Sequence, residues 1–80
     1  FFVRAEKGAE IDLILEKGTH RFGVECKAST SPSVSVATKR LARDLDCEHL
    51  YIVAPIKEPY PIEAHISVTN IESMLKQVSR

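Results

Sequence analysis

Apolar and polar residues alternate along the opening stretch of the chain with the two-residue period of β-strands. Residues 10–16 place Glu10, Asp12 and Ile14 on one face and Ile11, Leu13 and Leu15 on the other. Lys17-Gly18-Thr19 reads as a turn, after which residues 20–28 set Gly23, Glu25 and Lys27 opposite Phe22, Val24 and Cys26. Residues 1–4 predict the end of an earlier strand, reversed through the polar turn Ala5-Glu6-Lys7-Gly8. The expectation is an antiparallel meander of two hairpins with one apolar face.

The period then changes. Ser29 to Ser35 holds five serines or threonines around Pro32, a loop composition that can end in a helix cap. Over residues 34–45 the apolar positions Val34, Ala37, Leu41 and Leu45 recur every three or four residues, which predicts one amphipathic helix. A short apolar run, 50–54, predicts a strand buried on both faces, and the order strand, helix, strand predicts a right-handed parallel crossover. Three prolines break up residues 55–61, and 62–68 alternate weakly as one last strand. Thr69 and Glu72 have the spacing of a capping box for a final helix striped by Ile71, Met74, Leu75 and Val78. The fold class is therefore α/β: an antiparallel meander followed by a helix-strand crossover in a mixed sheet, with a C-terminal helix. Phe22 and Tyr51 are expected in the core, and Tyr60 outside it.

Eighty residues suffice for one core and not for two independent domains. Eleven basic residues balance eleven acidic ones, so long-range attraction to nucleic acid is not expected from the total charge. Lys39, Arg40 and Arg43 form a small basic patch, read first as a solvated helix face and otherwise as a phosphate contact. Cys26 and Cys47 lack the spacing of a zinc knuckle or disulfide framework, which points to reduced thiols in a cytoplasmic protein. Cys26, facing away from the acids, is expected as a small buried apolar residue. His20, His49 and His65 are too scattered for a metal cluster and are expected at strand edges. No run approaches the roughly 18 apolar residues of a membrane span, and no signal peptide is evident. The opening in strand-like sequence without Met is read as a C-terminal fragment of something larger.

Chemistry enters with Asp12 and Glu25, acids embedded in otherwise apolar strands. Pairing through the Lys17-Gly18 turn brings the two strands to about 4.8 Å, where like charges require compensation. A divalent cation compensates directly, since Mg2+ binds carboxylate, water and phosphate oxygens together. Lys27, two positions beyond Glu25, can orient water or stabilise charge on a phosphate. The bland readings are a solvated strand face for the two acids and a cross-strand ion pair of Lys27 with Glu10 or Asp12.

Gly8-Ala9-Glu10-Ile11-Asp12-Leu13-Ile14-Leu15-Glu16 followed by Phe22-Gly23-Val24-Glu25-Cys26-Lys27-Ala28-Ser29 resembles the PD-(D/E)XK nuclease superfamily. The pair is most similar to the C-terminal nuclease-like domain found behind an AAA-type ATPase and a winged-helix region in a group of uncharacterised prokaryotic proteins. That resemblance implies a restriction-endonuclease-like fold in which Asp12, Glu25 and Lys27 are the catalytic residues. It also implies Asp12 and Glu25 as ligands of Mg2+ or Mn2+, with Glu10 as an outer or direct third oxygen donor. Members often draw a further acid from a helix before the first strand, for which this chain has no residues.

The implied activity is Mg2+-dependent phosphodiester hydrolysis of nucleic acid. The alternative is a non-catalytic accessory domain that binds nucleic acid or a protein while the ATPase region supplies energy. No ATP site is expected in this segment, because the Gly-x-x-x-x-Gly-Lys-Ser/Thr pattern is absent. A homodimer is expected through Phe1-Phe2-Val3 or the stripe of the last helix.

Overall fold

Strands and helices fall largely where the periodicity places them. In this computed structural model, which describes residues 3–4 and 10–79, the order is β1 (Val3–Arg4), β2 (Glu10–Ile11), β3 (Leu13–Lys17), β4 (His20–Cys26), α1 (Val36–Asp44), β5 (His49–Val53), β6 (Tyr60–Glu63), β7 (Ile66–Thr69) and α2 (Ile71–Val78). Five of the strands form one mixed sheet in the order β3-β4-β5-β7-β6. β3 and β4 are antiparallel, β4, β5 and β7 run parallel, and β6 returns antiparallel on β7. The helix-strand crossover is thus present. Phe1, Phe2 and the turn at residues 5–8 lie outside the described residues, as does that route to a dimer.

Gly18 explains the first hairpin. Lys17 pairs with His20, leaving a two-residue loop whose first position has φ 61°, the left-handed region that glycine enters without steric cost. α1 begins at Ser35, whose hydroxyl accepts from the Thr38 N–H at 3.0 Å. It ends in a Schellman motif: Cys47 N donates to Ala42 O and Asp46 N to Arg43 O, with Asp46 left-handed at φ 56°. Asp46→Gly should therefore raise stability by about 1 kcal/mol, since the left-handed strain disappears while the bonds remain. Chemical denaturation checks this as a higher midpoint at unchanged slope.

Both faces of the sheet are covered. α1 closes over Ile11, Ile14, Leu50 and Ile52, whereas α2 brings Met74 onto Val24 and Tyr51, with Leu13, Leu15 and Phe22 beside them. Ile11 therefore lies with Ile14, not with Leu13 and Leu15 as strict alternation predicts. The strand bends at Asp12, between β2 and β3, and the bend shifts the alternation by one residue.

Two further expectations are corrected. Residues 62–68 are not one strand: β6 and β7 are joined at Ala64-His65, a loop with neither Gly nor a positive φ to mark it. Asn70, not Thr69, caps α2; its Oδ1 accepts from Ser73 N at 2.8 Å, and its Nδ2 donates to Ile56 O and Lys57 O. Of the predicted stripe, Met74 is buried, while Ile71 and Leu75 are about half exposed. Tyr60 is exposed as expected. Among the described residues no helix is long and apolar enough to cross a membrane.

Candidate functional site

Glu25 and Lys27 meet at the C-terminal end of β4, an inner strand of the sheet. Register with β5 holds that end in place: Glu25 lies beside Ile52, and Lys27 N donates to Val53 O at 2.8 Å. Lys27 Nζ reaches Glu25 Oε2 at 3.1 Å. The two side chains differ sharply in exposure, 40% for the lysine and 2% for the glutamate. Glu25 Oε1 is buried and has no hydrogen-bond partner among the described residues. A solvated strand face is therefore the wrong description of Glu25, because the sheet is covered on the side it faces. The ion pair of Lys27 is likewise with Glu25, not with Glu10 or Asp12.

Burial raises the Glu25 pKa above its ordinary value, opposed by the hydrogen bond and charge of Lys27 and reinforced by the charges of Glu10 and Asp12. The three acids thus share one electrostatic neighbourhood. Asp12 is half-buried at the bend, with its N–H donating to Val24 O at 2.9 Å and its Oδ2 accepting from Cys26 N at 2.8 Å. Glu10 is exposed. Cys26 is exposed too, contrary to expectation, since the strand ends there and leaves no cover over it. Local desolvation, then Asp12 and Glu25, push its thiol pKa up, which disfavours a thiolate nucleophile.

Among the described residues, no three His, Cys, Asp or Glu side chains converge as a metal cage. That excludes a closed zinc-type site from these residues. An orphaned, buried carboxylate oxygen beside a second acid instead fits Mg2+, which is commonly held by one or two carboxylates with water and substrate oxygens completing the shell. Asp12 and Glu25 are the residues that would hold such an ion, with Glu10 nearby.

The other sequence candidates lie elsewhere. Lys39 is ion-paired with Glu63, and Arg40 and Arg43 are exposed on α1. The histidines are not at sheet edges: His20 and His49 begin the inner strands β4 and β5 and His65 lies in the turn between β6 and β7, with His20 Nδ1 2.7 Å from Glu48 Oε2 and His49 Nε2 2.8 Å from Ser67 Oγ. Burial and the neighbouring His65 lower the His49 pKa. A groove of about 450 Å³ between α1 and the β6–β7 turn is lined by Arg43, Cys47, Leu50, His65 and Ile66 among others, and by none of the three site residues. Sequence reasoning missed Thr38, which is 2% exposed and accepts from the Glu10 N–H. A threonine on the inward side of an amphipathic helix was the available signal.

Fold and site define a mixed α/β domain that gathers two buried or half-buried acids and a lysine at the end of an inner strand. The chain belongs to the DUF4143 family, a domain of unknown function, whose profile matches residues 1–74. It is similar to the uncharacterized protein Rv2008c of Mycobacterium tuberculosis and the uncharacterized protein Mb2031c of Mycobacterium bovis, each 27% identical over 75 residues and 94% of this chain. The chain spans 17% of the length of these curated relatives. No solved structure matches it.

Proposed function

We propose that the chain is a restriction-endonuclease-like domain of the PD-(D/E)XK type, acting in Mg2+-dependent phosphodiester hydrolysis of nucleic acid. The observation that carries this reading is the Glu25 carboxylate: buried, with Oε1 unpartnered among the described residues, Oε2 on Lys27, and Asp12 in the same electrostatic neighbourhood. A buried acid with an orphaned oxygen is costly, by about 1–3 kcal/mol for the missing bond, and a functional ligand accounts for its presence. Asp12 and Glu25 would hold the divalent ion, and such an ion would supply positive charge where negative charge develops on the phosphate.

Lys27 acts at the exposed side of the same site. Its Nζ, fixed by Glu25, would donate to a phosphate oxygen and stabilise the charge that builds there as water adds at phosphorus and the bridging P–O bond breaks, the water's proton passing through solvent to the departing oxygen. AAA-type ATPase and winged-helix regions in the same protein belong to this proposal on the sequence resemblance alone.

A second reading is a non-catalytic accessory domain that binds nucleic acid or a protein partner. Two observations favour it: the zero net charge, and the absence of a third converging ligand among the described residues. Cleavage of DNA and RNA by the intact protein in Mg2+, compared with an Asp12→Ala/Lys27→Ala double variant, separates the two. The nuclease reading expects cleavage to fall by about 100-fold or more while nucleic-acid binding persists. Equal cleavage by both proteins removes these residues from catalysis, and binding without cleavage in the parent supports the accessory reading.

A further inference from the structure

We propose that Thr38 is the positioning residue for Asp12, locking the bend that carries this acid to the end of β4. This inference rests on the reading of Asp12 and Glu25 as the ion-holding pair. β3 follows β4 as far as Leu13, which pairs with Val24, and the Asp12 N–H still reaches Val24 O. Beyond that point the strand leaves the five-stranded sheet, and among the described residues β2 pairs with β1. The Glu10 N–H thereby loses β4 as an acceptor. A backbone donor near the core requires another partner, and Thr38 Oγ1 provides it at 3.1 Å from α1.

Thr38 is itself held by the helix cap. Ser35 Oγ accepts from Thr38 N at 3.0 Å and donates to Thr38 Oγ1 at 2.9 Å, so the first turn of α1 presents the hydroxyl in a defined orientation. Ile11, with no exposed surface, packs beneath α1 immediately after the bonded Glu10. The strand is thus clamped on one side of Asp12 by α1 and on the other by β4. That leaves the Asp12 carboxylate directed at Cys26 N, 2.8 Å away and next to Glu25. Valine would fill the same buried space as Thr38; only the hydrogen bonds call for a hydroxyl.

The test compares Thr38→Val, which keeps the branched shape, with Thr38→Ser, which keeps the hydroxyl. Two quantities are read: Mn2+ affinity by titration, and amide hydrogen exchange at Cys26 against Ile52 on β5. Thr38→Val should weaken Mn2+ binding about 10-fold, the lower end of the range for residues that orient metal ligands. It should also speed exchange at Cys26 about 10-fold more than at Ile52, because the Asp12 acceptor is displaced. Thr38→Ser should restore both. Should Thr38→Val not fold, Thr38→Ala carries the same comparison without a branched methyl group to place.

Faster exchange by one common factor at Cys26 and Ile52, or equal behaviour of the serine and hydroxyl-free variants, overturns the proposal. If the parent protein binds no Mn2+, the ion-holding reading fails, and the Cys26 exchange still decides whether Thr38 positions Asp12.

Discussion

Glu25→Met is expected to raise stability at neutral pH by about 1–3 kcal/mol, the desolvation cost of the unsatisfied buried group that it removes; on the proposed nuclease reading it also abolishes cleavage. Glu25 is 2% exposed, its Oε1 has no partner among the described residues, and Lys27 on the other oxygen is open enough to water to remain solvated when the acid is lost. Methionine follows the same unbranched path without the charge. The sign of the pH dependence follows from the raised pKa. As pH rises past the ordinary value of 4.5, the unfolded chain releases the Glu25 proton before the folded chain does, so native stability declines until the folded pKa is passed. Below 4.5 both states hold the proton, and that part of the penalty is absent. Urea unfolding at neutral pH and in acid should therefore show a large gap between variant and parent that narrows in acid. A less stable variant at neutral pH would show that the Glu25–Lys27 pair outweighs desolvation.

Gly23→Ala should cost about 1–3 kcal/mol, the usual penalty for forcing volume into a packed core. A Cβ at Gly23 would stand 3.0 Å from Leu50 Cδ1, 3.4 Å from Cys47 Sγ and 3.6 Å from Ile11 Cδ1. Leu50 is 1% exposed and Ile11 fully buried, so neither has free space into which to withdraw. The strain falls on Leu50, since 3.6 Å to Ile11 is an ordinary contact. A lower denaturation midpoint at unchanged slope checks the prediction. An unchanged midpoint would mean that the space under α1 is looser than these distances indicate.

The candidate chemistry was legible in Asp12, Glu25 and Lys27 because a two-residue period puts Glu25 and Lys27 on one face, and the Gly18 turn sets Asp12 beside the end of β4. Their environment was not. Alternation says which residues share a face, but not whether that face meets water, and Glu25 is only 2% exposed. Cys26 shows the reverse case, since alternation put it on the apolar side while the strand ended before anything covered it.

Local chemistry alone determined the Gly18 hairpin, the Ser35 cap, the α1 stripe and the strand that follows it, because each is encoded within a few neighbouring residues. Tertiary structure decided the shift of Ile11 to the side of Ile14, the Ala64-His65 reversal and the capping of α2 by Asn70. Each of these turns on a partner distant in the chain: α1 over Ile11, β7 beside β6, and the carbonyls of Ile56 and Lys57 for Asn70. Glu10 illustrates the reason most directly. Its N–H finds an acceptor 28 positions away on Thr38, and no pattern within a strand can register a hydrogen bond that exists only after the helix has packed.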